Sequence, residues 1–151
     1  MSKIEVYEDS SDEMLERCIG LAEQHYYEVE EKSSTIPFGL NMEMVQALAD
    51  LNLLRNVVAV RGGEVVGYFT NIISPCIYTS KFTAKELGIF LHPSARGGST
   101  FYRMLKLTEQ LAKEAGCYSQ MLAFKKGHDS GLAERVGYEL TETVYQKLLG
   151  E

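Results

Sequence analysis

The sequence predicts a single mixed α/β domain, and three observations predict it. Strand-like alternation and helix-like spacing succeed one another in the order β-α-α-β-β-β-α-β-α-β, with no linker or repeat dividing residues 1–151. The length of 151 residues is that of one ordinary domain and buries roughly 70% of the unfolded surface, enough to fold without metal or disulfide staples. At 45% apolar and 24% charged residues, the composition is that of a globular protein rather than a disordered one.

Taken in order, Lys3–Tyr7 alternates Ile4 and Val6 with polar neighbours, a short first strand. Ser10 followed by Glu13 has the pattern of a capping box, and Asp12 and Glu13 suit the positive start of a helix. Met14, Leu15, Cys18, Ile19, Ala22, Tyr26 and Val29 then recur at helical spacing, predicting one long amphipathic helix over 11–31. Ser33–Gly39 is a loop, interrupted by Pro37. Asn41 is placed to cap a second helix whose buried stripe is Met44, Val45, Leu48 and Ala49. Asn56–Val60 and Glu64–Ile73 flank Arg61-Gly62-Gly63, a hairpin signal. A further strand covers Glu86–Leu91, and Ser99–Ala115 forms a helix closed by Gly116. Met121–Phe124 reads as a short strand, Leu132–Val136 as one or two helical turns and Tyr138–Leu149 as a final strand.

The net charge of −6 is unevenly spread: residues 1–32 carry ten acids and three bases, the remainder eleven and twelve. Such a segment disfavours nucleic acid, which needs clustered Lys and Arg. It suits cationic partners such as amines, and equally an ordinary solvated helix face. No apolar run reaches the ~18 residues of a membrane span, and the N-terminal region is acidic where a secretory signal is basic and then apolar. The expectation is a cytoplasmic protein without membrane partners. Three cysteines without a C-x-x-C pair and three scattered histidines (His25, His92, His128) offer neither a disulfide framework nor metal-ligand spacing.

The informative stretch is Glu86–Leu105, ELGIFLHPSARGGSTFYRML. A hydrophobic strand ends at His92-Pro93, passes through Ser94, Ala95, Arg96, Gly97, Gly98, Ser99 and Thr100, and enters a helix. Glycines and small hydroxyl residues let successive backbone N–H groups converge on one concavity, at a helix start that favours an anion. Arg96 adds a permanent forked cation suited to phosphate. This is the chemistry of a pyrophosphate cradle, although tight strand-to-helix corners share its pattern.

The stretch resembles the acyl-CoA-binding motif of the GNAT superfamily of N-acetyltransferases, in which a strand ending in a hydrophobic-x-Pro step leads to a Q/R-x-x-G-x-G/A loop and a helix. Leu91-His92-Pro93 matches the strand end and Arg96-Gly97 the loop's opening. Ser99 and Phe101 stand where the family usually has glycines, a form similar to that of short GNAT proteins often encoded by bacteriophages. Gly137-Tyr138 resembles the family's Gly-Phe step and Tyr145-x-Lys147 its closing strand. The resemblance implies an α+β fold with a mixed, mostly antiparallel sheet flanked by helices. It also implies transfer of an acetyl group from acetyl-CoA to an amine, on a small molecule or a protein, by direct attack in a ternary complex. Arg96–Thr100 would hold the diphosphate and a backbone N–H at about Phe90–Leu91 the oxyanion, while Arg103, one turn into the helix, is either within reach of the 3′-phosphate or a free surface residue.

The reaction needs a base for the amine and a donor for the oxyanion, and it benefits from an acid near the departing thiolate. Glu86, opening the strand into the cradle, is the candidate base; its alternative is a solvated strand-end carboxylate. Many GNAT enzymes carry a Tyr acid four residues before the Gly-Phe step, where this chain has Ala133. His128, Tyr102, Tyr138 and Tyr145 remain as candidate acids. Lys125 and Lys126 lie near the expected path of the CoA arm, placed either to meet phosphate or as ordinary solvated lysines. Substrate choice falls to Glu28–Asn41 and Ser74–Phe82, with Tyr26, Tyr27, Glu28, Glu30 and Glu31 forming either an acidic aromatic mouth or a solvated helix end. Ala133 and the altered loop also support an alternative: a catalytically degenerate binding protein on the same scaffold. Sheet edges make a homodimer a further expectation.

Overall fold

A computed structural model of the chain describes residues 3–30, 35–125 and 131–150. The predicted candidate His128, with Lys126 and Glu31, lies outside the described residues. Five strands form one sheet in the order of the chain: β1 (Ile4–Glu8), β2 (Leu54–Arg61), β3 (Glu64–Pro75), β4 (Phe82–Leu91) and β5 (Cys117–Met121). The first four are antiparallel neighbours, and β5 runs parallel to β4. A parallel neighbour needs a crossover, supplied by helix α4 (Thr100–Glu114). The sheet is therefore mixed and mostly antiparallel, as expected.

The β2–β3 hairpin turns on Gly62 and Gly63, both with positive φ (59° and 81°), the conformation that a two-residue turn between paired Arg61 and Glu64 demands. Period-two alternation then sorts the side chains. Val57, Ala59 and Phe69 face α4 and pack with its Met104 and Leu105. Val58, Val60, Tyr68 and Phe90 face the opposite way, under Met14 and Cys18 of the N-terminal helices. Each face receives a helical layer because each is apolar.

The predicted helix over 11–31 is two helices, α1 (Asp12–Arg17) and α2 (Ile19–Val29), joined at Cys18. Ser11, not Ser10, caps α1 by accepting the Met14 N–H at 3.2 Å. Ser10 instead accepts the Asn56 N–H at 2.9 Å, fastening the helix start to β2. The break at Cys18 lets two short arcs, rather than one straight stripe, follow the twisted sheet. Asn41 caps α3 (Met42–Asp50) as expected, accepting the Met44 N–H.

Three strand predictions change. β4 begins at Phe82, four residues before Glu86, because Phe82 already pairs with Pro75 across a short loop. β5 covers Cys117–Met121 rather than 121–124, since pairing with β4 outweighs the polarity of its residues. The expected final strand over Tyr138–Leu149 does not form: after the short helix α5 (Leu132–Arg135), residues 138–150 carry no regular structure. Val144–Tyr145 and Leu148–Leu149 occupy adjacent positions, so their apolar side chains cannot share one strand face, and all four are exposed.

Candidate active site

The cradle begins where β4 ends. Pro93–Ala95 forms a single 3-10 turn, braced by His92, whose Nδ1 accepts the Ser94 N–H at 3.1 Å. Arg61 bonds the Ser94 hydroxyl at 2.7 Å, and Ala95 is buried in the core beside Met104. With its entry held, the chain turns through Gly97 at φ +92° and enters α4 at Thr100. The amide of Arg96 is taken by Pro93 O at 3.3 Å, but those of Gly97, Gly98, Ser99 and Thr100 reach no acceptor among the described residues. Gly97, Gly98 and Ser99 are exposed, and a Cβ on either glycine would meet nothing within 4 Å. Successive backbone donors without a protein acceptor thus gather at the start of a fifteen-residue helix, an arrangement that favours an anion.

Two cations assigned to the anion lie elsewhere. The Arg96 side chain folds back across β4: Nε donates to Leu91 O at 2.8 Å, and the fork meets both Glu28 carboxylate oxygens at 3.1 and 3.2 Å. Its guanidinium lies 5.2 Å from the centre of the Phe90 ring. Arg103 donates to Ile4 O at 2.8 Å and ties α4 to β1. Both guanidinium groups are thus engaged within the protein, which leaves the backbone donors of the bend.

Beside the cradle the sheet opens. Parallel pairing ends at Lys85 with Met121, and beyond it β4 and β5 part. Gly88 pairs with Thr70 and Glu86 with Asn71, so Leu87 is an extra residue on β4, a bulge that increases local twist. His92 donates to Val66 O on β3 at 2.7 Å. Because antiparallel amides alternate in direction, Phe90 also points toward β3, while Ile89 and Leu91 present their N–H groups to the open edge. Of the two expected oxyanion donors, Leu91 therefore faces the cleft. The Phe90 ring packs against His25 and Arg96.

Glu86 sits where the strands separate. Its Oε1 accepts the Ala123 N–H at 3.0 Å, bridging β4 to the segment after β5. Burial pushes its carboxyl above the usual range, opposed by that amide and by Lys85 and Lys125. Among the candidate acids, Tyr102 is exposed beneath Lys106, Tyr145 is exposed, and Tyr138 donates to Glu109 on α4 at 2.6 Å.

A cavity of about 260 Å³ lies on the face of β4 opposite α4, between the N-terminal helices and the sheet. His25 of α2 lines it. His25 Nδ1 is 2.6 Å from the Tyr68 hydroxyl, and its ring stacks on Phe90 at 5.2 Å and 18°. The ring lies over Gly88, where a Cβ would stand in ordinary contact at 3.6 Å from His25 Cε1. Burial lowers the basicity of His25, although Glu30 and Glu28 act against it. Burial likewise raises the Tyr68 phenol far above its normal value, so it stays neutral. In the sequence His25 is one of three scattered histidines. Its signal was positional: it lies three residues after Ala22 and seven after Cys18, on the arc of the helix that meets the sheet.

The predicted acidic mouth is engaged with basic side chains. Glu28 holds Arg96, and Glu30 holds Lys125 at 2.8 Å, so the end of α2 bridges the segments following β4 and β5. Tyr26 donates to Ile36 O and Tyr27 accepts the Phe38 N–H, fixing the loop that closes the cavity.

Solved structures share this architecture. A ribosomal-protein-alanine N-acetyltransferase from Brucella melitensis biovar Abortus 2308 superposes with a TM-score of 0.74 at 14% identity, over 98% of this chain and 100% of the other. An aminoglycoside acetyltransferase from an uncultured soil metagenomic sample gives 0.79 at 10% identity, over 98% and 99%. A predicted acetyltransferase from Clostridium acetobutylicum, solved with acetyl-CoA, gives 0.75 at 12% identity, over 97% of each chain. No family sequence profile and no curated protein matches the chain. At these identities the likeness concerns the fold alone. The chain has the fold of the GNAT acetyltransferases.

Proposed function

We propose that this protein is an acetyl-CoA-dependent N-acetyltransferase acting on an amine. The observation that carries the reading is the row of free amides at Gly97–Thr100, opening beside the gap between β4 and β5. The residues fit the cosubstrate: the amides would hold its diphosphate, and the edge donors of Ile89 and Leu91 would face its thioester arm. When bound, it supplies an activated acetyl group.

The remaining chemistry belongs to the chain. Gly88–Leu91 turns its edge to the cleft and its face to the cavity, so an amine in the cavity meets the cleft across one strand. That arrangement supports direct transfer in a ternary complex. The Leu91 and Ile89 amides are fixed donors for negative charge developing on a carbonyl oxygen. Glu86 at the fork and His25 in the cavity are the groups able to take a proton. The outer edge of β5 pairs with no strand among the described residues, which supports a homodimer. Sedimentation of a monomer at high micromolar concentration would remove that part.

Gly98→Asp tests the central claim. Gly98 has no positive φ and open space around it, so the substitution leaves the fold intact. Its carboxylate places a negative charge in the cradle. Acetyl-CoA at millimolar concentration is expected to raise the melting temperature of the parent protein and not that of the variant. Absence of a shift in the parent, or equal shifts in both, would overturn the reading.

A further inference from the structure

The cavity's chemistry narrows the acceptor. We infer that it takes a primary amine carried on a compact apolar body, and that His25 Nε2 receives the amine's proton. The inference rests on the acetyl-transfer reading and deepens it.

The walls come from Ile19, Phe38, Met42, Val45, Leu54 and Leu87, all apolar. Most of the polar groups in the lining are bonded within the protein. Asn56 donates to Asp9 O at 3.2 Å and accepts from the Thr70 hydroxyl at 2.8 Å. The Tyr26 hydroxyl donates to Ile36 O at 2.6 Å, and Glu30 is paired with Lys125. A polyhydroxylated amine would lose water from each hydroxyl without a new partner, at about 1–3 kcal/mol each. An apolar body meets no such cost. The volume of about 260 Å³ suits a small ligand, being below the roughly 300–1,000 Å³ of drug-sized sites.

His25 is the group placed to act. Its Nε2 holds no hydrogen bond among the described residues and its ring lines the cavity, whereas Glu86 is not part of that lining. When Nδ1–H donates to the Tyr68 hydroxyl, the lone pair lies on Nε2, the tautomer a base requires. The charged and titratable groups around the ring are Tyr68 from β3, Glu28 and Glu30 from its own helix, Arg96 after β4 and Lys125 after β5. An ammonium entering an apolar cavity is also desolvated, which favours giving up its proton.

The step balances as follows. One proton of the ammonium passes to Nε2, giving an imidazolium. The freed nitrogen lone pair forms the C–N bond to the thioester carbonyl as the C–S bond breaks. A second nitrogen proton goes to the departing sulfur, giving amide and thiol, and the imidazolium returns its proton to water.

Calorimetric titration of the full chain without acetyl-CoA, using hexylamine, 2-phenylethylamine and glucosamine, tests the class. The two apolar amines are expected to bind at least tenfold more tightly than glucosamine and to move the His25 Cε1–H resonance. Val45→Phe, filling the cavity, should abolish amine binding while keeping the acetyl-CoA melting shift, which also reports an intact fold. His25→Gln should retain amine binding, lower kcat by about 10²–10⁴ and remove the acidic limb of the pH profile. Equal or tighter glucosamine binding, an unmoved His25 signal, or an unchanged pH profile in His25→Gln would overturn the inference. If amines fail to bind while acetyl-CoA still stabilises the chain, this inference falls alone. If acetyl-CoA fails while apolar amines bind, the transfer reading is what falls.

Discussion

Gly97 and Gly98 are adjacent, equally open and conformationally different, which makes alanine at each a controlled experiment on the cradle. A Cβ at either position meets nothing within 4 Å, so neither substitution clashes. Gly97 has φ +92°, and Gly98 has no positive φ. Alanine at Gly97 must occupy a left-handed conformation, at a cost of about 1–2 kcal/mol. Both variants gain about 0.4–1 kcal/mol by losing freedom in the unfolded chain. That gain cancels between them, so Gly97→Ala should be less stable than Gly98→Ala by about 1–2 kcal/mol, the backbone cost alone. With an m-value near ~2 kcal/mol/M in urea, the midpoints should differ by about 0.5–1 M. Gly98→Ala itself should match or slightly exceed the parent. Coincident midpoints for the two variants would show that the bend does not hold this conformation in solution, and the alignment of its amides would lose its basis.

Three other outcomes follow from particular groups. Thr108, buried on the inner arc of α4, has a hydroxyl with no hydrogen-bond partner among the described residues. Thr108→Val keeps the shape and removes the stranded hydroxyl, so it should stabilise by about 1–2 kcal/mol in urea melts, and a loss of stability would contradict the assignment. Glu86 has a folded-state pKa above its unfolded value, so its contribution is fully present below the unfolded value of about 4.3 and lost as pH rises through the folded one. Glu86→Gln keeps an acceptor for Ala123 and should therefore exceed the parent in stability at pH 7 but not at pH 4; the reverse order would refute this. His25 has a folded-state pKa below its unfolded value of about 6.5. Its contribution is present above that value and lost as pH falls through the folded pKa, and His25→Gln should flatten the decline of melting temperature across this acidic window.

Much of the architecture was legible in the residues because its signals are local. Two glycines between alternating apolar runs define the β2–β3 hairpin, and Asn41 three residues before the Met44 amide defines a cap. The strand, the Pro step and the glycine-bearing loop announce a row of free donors because backbone conformation depends on neighbours along the chain. The tail misled for a related reason: its composition favours extended chain, but a strand exists only with a partner edge, and its paired apolar residues offer no single face to bury.

The amino-acid sequence thus determined, through short-range conformational preference, the hairpin, the caps and the glycine-bearing bend that leads into α4. Only the tertiary structure decided where the long side chains end. Arg96 reaches Glu28 across 68 residues of sequence, and His25 reaches Tyr68 across 43. A rotatable side chain goes where distant partners offer charge, hydrogen bonds or a ring to stack on, and those partners come together only when the chain has folded. The parting of β4 from β5 is of the same kind, since it depends on the register of two strands joined through a whole helix.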